Sequence, residues 1–188
     1  MSTSTHQDIA KIIEHTQPGK IFFPTDFRGT GSEAAIKMSL SRLVKEGKIE
    51  RLAHGIYLHA KIHPAMGKLQ PSLDEITEAI AQKGHIRIRP SGAYALNKLG
   101  LSNQVPTRII YITDGQVKQI RFGKGSIKFK PASPKKFGTL GKISSLLIQG
   151  LEEIGLKQIT PIMKDKIENL LKKEDPKKLS RDIKLAPA

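Results

Sequence analysis

Apolar residues at Ile36, Leu40, Leu43 and Val44 recur at i, i+4, i+7 and i+8 and draw a single stripe along a helix running from Ser32 to Gly47. Ser32 stands where an N-cap belongs, after the flexible Gly29-Thr30-Gly31, and Gly47 stands where a C-terminal glycine ends a helix. Lys48 to Leu52 and Ile56 to His59 then alternate polar and apolar residues around Ala53-His54-Gly55, which predicts a β-hairpin with a tight turn. Upstream, Ile9, Ile12 and Ile13 mark a first helix from Thr5 to about Gln17, capped by Thr5 and stopped by Pro18-Gly19. Ile21-Phe22-Phe23 is short enough only for an edge segment or connector, and Asp26-Phe27-Arg28 forms a brief second helix. Helix, short helix, turn, amphipathic helix and hairpin within ~55 residues is the order of a winged helix-turn-helix.

From Ile62 to Pro71 the periodicity stops, with two prolines and a glycine, so residues 63–71 are expected to be a linker between a winged helix at 1–62 and a second domain at 72–188. Ser72 caps a helix to about Gln82, with Gly84 as its end. His85 to Arg89 alternates as a strand, and Pro90-Ser91 opens a short helix that reaches Gly100. Arg108 to Thr113 is a stronger strand. Asp114-Gly115 reads as a hairpin turn into residues 116–122, and Gly123-Lys124-Gly125 as another into 126–130, giving a meander. Apolar positions from Ile143 to Ile154 and from Ile162 to Leu171 predict two helices, and a lysine-rich tail holds a last one around Pro176 to Ile183. The fold class expected is α+β: a winged helix, then a small mixed α/β domain with antiparallel strands and C-terminal helices.

Lysine and arginine total 32 against 17 acidic residues in 188, a formal net charge of +15. Such a field favours polyanions without separating DNA from RNA. With no cysteine, disulfides and thiolate metal sites are excluded. The N-terminus lacks a signal-peptide pattern and no window reaches the ~18 apolar residues of a membrane span, so a cytoplasmic protein without membrane contact is expected.

Opposite the core stripe, the predicted recognition helix presents Ala34, Ala35, Met38, Ser41, Arg42 and Lys45, with Lys37 on its flank and Ser32 at its start. Small residues let the backbone approach base edges, and Arg42 reaches guanine or phosphate. Arg51 and His54 sit at the hairpin tip, where a wing meets phosphates or the minor groove, and Arg28 and Lys20 are placed for backbone contacts. In the second domain Ser91, Tyr94, Asn97 and Lys98 are the candidate surface residues, with a core position for the Tyr94 ring as the alternative. His54, His59 and His63 do not make a metal set, and no cofactor is indicated. A nucleotidyltransferase would need a glycine-serine turn with paired carboxylates; Gly123-Lys-Gly-Ser126 lacks the pair, so no enzyme is expected. An RNA- or ribosome-associated protein is the remaining alternative, disfavoured by an aromatic content of 5% and no stacking motif. No heptad run settles monomer or dimer.

Three stretches resemble the AbiEi family of bacterial type IV antitoxins: Ile36 to Tyr57, Arg89 to Leu101 (RPSGAYALNKLGL), and Pro106 to Gly115 (PTRIIYITDG). The likeness covers roughly Ile12 to Lys130. It implies a winged helix that represses its own operon through inverted repeats upstream of a toxin gene. It also implies a C-terminal domain that opposes a nucleotidyltransferase-like toxin, with or without binding it.

Overall fold

The structure is a computed structural model that describes residues 4–104, 106–123, 125–155 and 158–186. The chain is α+β and divides into two compact units, Met1–Ile80 and Ala81–Ala188.

The first unit opens with α1 (Thr5–Glu14). Ser4, one residue earlier than the pattern suggests, is its N-cap: its hydroxyl accepts from the Gln7 amide at 3.3 Å while Gln7 Oε1 accepts from the Ser4 amide at 3.2 Å. A two-residue strand β1 (Ile21–Phe22) and a 3-10 turn, Pro24–Phe27, lead to α2 (Glu33–Lys45), β2 (Glu50–Ala53) and β3 (Ile56–Leu58). Ser32 caps α2 by accepting from the Ala35 amide at 3.3 Å. At its far end Gly47 takes φ +73°, and the Lys48 and Gly47 amides donate to the Leu43 and Val44 carbonyls, which satisfies groups the helix leaves open. The three strands form one antiparallel sheet with β3 in the middle, pairing Ile21 with Leu58 and Arg51 with Tyr57.

The stripe read from the sequence is the core of this unit. Ile36, Leu40 and Leu43 of α2 bury against Ile9 and Ile13 of α1, with Phe22, Phe27, Ile49 and Tyr57 in the same cluster. Leu40 is fully buried, so Leu40→Ala should cost about 2–5 kcal/mol through the packing it removes and the cavity it leaves. Urea unfolding followed by circular dichroism checks this; an unchanged midpoint would contradict the packing.

The segment expected to be a featureless linker contains a hairpin, β4 (Lys61–His63) with β5 (Gly67–Leu69). Neither strand faces a core, and Ile62 and Met66 are among the most exposed large apolar residues. No alternation marks such strands. Instead, His63 Nδ1 accepts from the Ala65 and Met66 amides in the turn, and Glu50 of β2 holds Lys68 at 3.0 Å and Gln70 at 2.6 Å.

Helix α3 (Leu73–Gly84) carries the boundary between the units. The strand expected at His85–Arg89 begins later, as β6 (Ile88–Ser91). His85 and Ile86 are consumed by the helix end: His85 takes φ 49°, and the Ile86 and His85 amides donate to the Ala81 and Gln82 carbonyls. The left-handed position falls on a histidine, with Gly84 one residue earlier.

After α4 (Gly92–Lys98) come β7 (Arg108–Thr113), β8 (Lys118–Phe122) and β9 (Gly125–Pro131), in a sheet of order β6-β7-β9-β8. This corrects the expected meander of antiparallel strands. β9 lies between β7 and β8 and runs parallel to β7, so Asp114-Gly115 is no hairpin turn. Asp114 instead accepts from the Arg87 amide and from Arg87 Nε, both at 2.7 Å. The β8–β9 turn does form a hairpin, although Lys124 lies outside the described residues.

Two of the remaining helices fall where the periodicity puts them, α5 (Lys142–Ile154) and α6 (Pro161–Leu171), and α7 (Pro176–Ile183) lies where a last helix is expected in the lysine-rich tail. Leu96, Leu101 and Leu147 bury between α4 and α5, with Ile167 and Leu171 of α6 packed against them. α4 and α5 approach closely because residue 150 is glycine: a Cβ there would lie 2.6 Å from Leu96 Cδ2. The lysine-rich tail supplies the acids that hold the start of α5. Asp182, fully buried on α7, accepts from the Leu140 and Gly141 amides at 2.9 and 2.8 Å and from the Ser144 hydroxyl at 2.6 Å, and Glu174 accepts from the Ile143 amide at 2.7 Å. Arg89 of β6 donates to the Thr139 and Ser145 hydroxyls and to the Phe137 and Thr139 carbonyls of the same region.

Candidate nucleic-acid interface

Both ends of α2 are capped and one side is buried, so its opposite side is rigidly presented. Lys37, Met38, Ser41, Arg42 and Lys45 are all solvent-exposed, and Met38 is 57% exposed although it is a large apolar residue. Ser32 is exposed too, but its oxygen already serves as the N-cap.

The positive groups of this face are not neutralised by their surroundings. Among the acids of the unit, Glu14 holds Lys48 at 3.1 Å, Glu50 holds Lys68, Glu46 contacts His6 at 3.3 Å, and Asp26 accepts from the Phe23 amide at 2.7 Å. Among the described residues only Glu33 pairs with a basic group on the outer side of α2, at 3.8 Å from Lys37 and one turn away on an open surface, where such a pair contributes a few tenths of a kcal/mol. Among the described residues Arg28, Arg42 and Lys45 have no carboxylate within ion-pair distance.

At the hairpin, β2 and β3 meet through His54 and Gly55, the latter at φ +71°. Arg51 Nη2 donates to His54 Nδ1 at 2.9 Å, which requires a lone pair on that nitrogen and places the ring proton of neutral His54 on Nε2. The two residues expected at the wing tip are therefore one hydrogen-bonded pair, both exposed. Arg28 is exposed and follows the 3-10 turn, leading into Gly29 and on to Ser32. Lys20 lies over the Phe22 ring at 5.6 Å.

In the second unit the four candidate surface residues separate. Ser91 is buried, against the expectation that it faces solvent, and Tyr94 takes its alternative, the core position: β6 and α4 join at Ser91, and the Tyr94 ring packs on Tyr111 at 5.8 Å, which in turn stacks on Phe129. Lys98 is exposed and sits over the Tyr94 ring at 5.4 Å; Asn97, half-buried, donates to the Ser102 carbonyl at 3.1 Å. This cluster is a piece of core with one basic cover.

The charge is very unevenly shared. Residues 1–80 hold ten of the Lys and Arg and nine of the Asp and Glu, while residues 81–188 hold 22 and eight, so the net +15 divides as about +1 and +14. Between Asp114 and Glu152 there is no acidic residue at all. That signal is open to inspection in the sequence, and it marks a surface outside the helix-and-hairpin unit. Among the described residues no group of three or more His, Asp or Glu could hold a metal ion, and no helix is long and apolar enough to cross a membrane.

A family described as being of unknown function, DUF6088, matches residues 8–179, nearly the whole of both units. The chain belongs to the DUF6088 family. A comparison with curated proteins gives no match.

Proposed function

We propose that the first unit of this DUF6088 protein is a winged helix-turn-helix that binds duplex DNA, with α2 in the major groove and the β2–β3 hairpin as the wing. The observation that carries the reading is the exposed face of a doubly capped α2, whose Arg42 and Lys45 have no carboxylate within ion-pair distance among the described residues, followed directly by a hairpin whose tip pairs Arg51 with His54. Arg42 and Ser41 read base edges, Met38 supplies apolar contact, and Lys37, Lys45, Arg28 and Arg51 hold phosphates.

With the resemblance to AbiEi antitoxins, this makes the chain a cytoplasmic autorepressor and antitoxin whose operator lies upstream of a nucleotidyltransferase-like toxin gene. The test is selection of bound duplexes from a random pool by the full chain. Enrichment of one motif, as an inverted repeat, is expected; a recovered pool as random as the starting one would contradict operator binding. Antitoxicity is tested by co-expression with the product of the neighbouring gene. Growth rescue by wild-type chain and equally by Arg42→Ala/Lys37→Ala is expected, and absence of rescue by wild type would remove the antitoxin assignment.

A further inference from the structure

In the second unit, Arg108 of β7, Ser126 of β9 and Arg121 of β8 form one cross-strand row: Ser126 pairs with Arg108 on one side and with Arg121 on the other. Residues in a row point to the same face of the sheet, and strands lie about 4.8 Å apart, so the two arginines leave the backbone about 10 Å apart with a hydroxyl between them. Both arginines are exposed, and among the described residues neither has a carboxylate partner. The next row on the same face adds Lys128 and Gln119. Together with Thr107, Gly123 and Gly125, the row residues and Gln119 line an open concavity of about 330 Å³.

We propose that this row is a phosphate-binding site, occupied by the backbone of duplex DNA, and that it supplies much of the chain's electrostatic affinity. The proposal rests on the DNA reading given above. Guanidinium groups grip phosphate oxygens through paired N–H donors, and a serine hydroxyl between them donates a further bond. Among the described residues that line the concavity there is no aromatic ring and no wholly aliphatic side chain to hold a base or a sugar. A ligand recognised there is recognised by its phosphates alone, as a polynucleotide backbone is. The charge division agrees: the first unit, near neutrality, carries the side chains suited to reading bases, whereas the second carries nearly all of the positive field that draws in a polyanion.

The test measures binding of the full chain to a labelled duplex as a function of salt, for wild type, Arg108→Gln/Arg121→Gln and Arg42→Ala, with circular dichroism confirming that each variant is folded. Removing two arginine–phosphate pairs should lower the slope of log affinity against log salt by about 1.8 and weaken binding roughly 10- to 100-fold at ~0.1 M salt. The preference of that variant for one duplex sequence over another should stay as in wild type. Arg42→Ala should do the reverse, eroding sequence preference. An unchanged slope in Arg108→Gln/Arg121→Gln would overturn the phosphate site even if Arg42→Ala behaves as expected. If instead Arg42→Ala leaves preference intact while the double variant has the shallower slope, the phosphate site stands and the reading of α2 fails. A slope change seen with single-stranded RNA and absent with the duplex would overturn the duplex as occupant.

Discussion

Replacing Asp182 by alanine should destabilise the second unit by about 3–5 kcal/mol, the range for removing one partner of a buried, hydrogen-bonded charged group. Its carboxylate, from a helix some forty residues downstream, is the acceptor for two amides and one hydroxyl at the start of α5; alanine leaves the buried Gly141 amide without that acceptor and the Ser144 hydroxyl with only a long bond to Glu174, at 3.5 Å. Arg89, itself half-buried among Thr139, Ser145 and Phe137, would also be deprived of its nearest compensating charge. Burial pushes the Asp182 carboxyl up, but the bonds from Ser144, Leu140 and Gly141, and the Arg89 charge, outweigh it and hold the group below its ordinary value. A carboxyl with a lower pKa folded than unfolded contributes stability that is complete above the unfolded value, ~3.9, and is lost as pH falls through the folded one. The wild-type unit should therefore lose stability progressively below about pH 4, in line with that unfolded value. Asp182→Asn, with no proton to take up, should be less stable at neutral pH and show a flatter acid limb. Thermal melts from pH 2 to 7 measure both; parallel acid limbs for the two proteins would contradict the role given to Asp182.

A second substantial change is expected at α2. Alanine at both Arg42 and Lys37 should weaken binding to the selected duplex by about 1–3 kcal/mol for each base-edge interaction removed, and should flatten the salt dependence wherever the partner is a phosphate. Lys37 sheds only a weak surface pair with Glu33 on mutation, so the change in binding is not confounded by a change in folding. Titration by fluorescence anisotropy decides the matter, and an affinity equal to wild type would take α2 out of the interface.

How far the sequence shows the fold varies by element, for physical reasons. α2 and its hairpin are readable because an apolar stripe, a serine cap and a glycine stop all report one local structure. α5 and α6 follow from helical period in the same way, and α7 from the lysine-rich, proline-punctuated tail. The β4–β5 hairpin is not readable, since strands with both faces in water carry no alternation. Strand order is hidden as well: Asp114-Gly115 has the composition of a hairpin turn, but β9 inserts beside β7, and local sequence does not encode which strand becomes the neighbour. The outward-facing residues of α2 are legible from helical phase alone, and Lys37, Met38, Ser41, Arg42 and Lys45 lie exposed as that phase implies. The burial of Ser91 escapes such reasoning, and for Tyr94 the sequence offers core and surface together, because what covers the Tyr94 ring is Tyr111, backed by Phe129, and both arrive from later in the chain. Arg108 and Arg121 become one row only through the register of three strands, and Asp182 caps α5 only because α7 folds back on it.

All of the DNA-binding assignments depend on the outer side of α2 docking into the groove of a double helix and reading it. The decisive measurement is the affinity of the full chain for one sequence, presented as duplex, as its separate single strands and as a scrambled duplex, across a range of salt. The duplex should bind best, scrambling should cost affinity at every salt concentration, and part of this preference should disappear with Arg42→Ala. Equal affinity for all three forms, changing only with salt, would contradict that docking and leave a polyanion-binding protein without a reading helix.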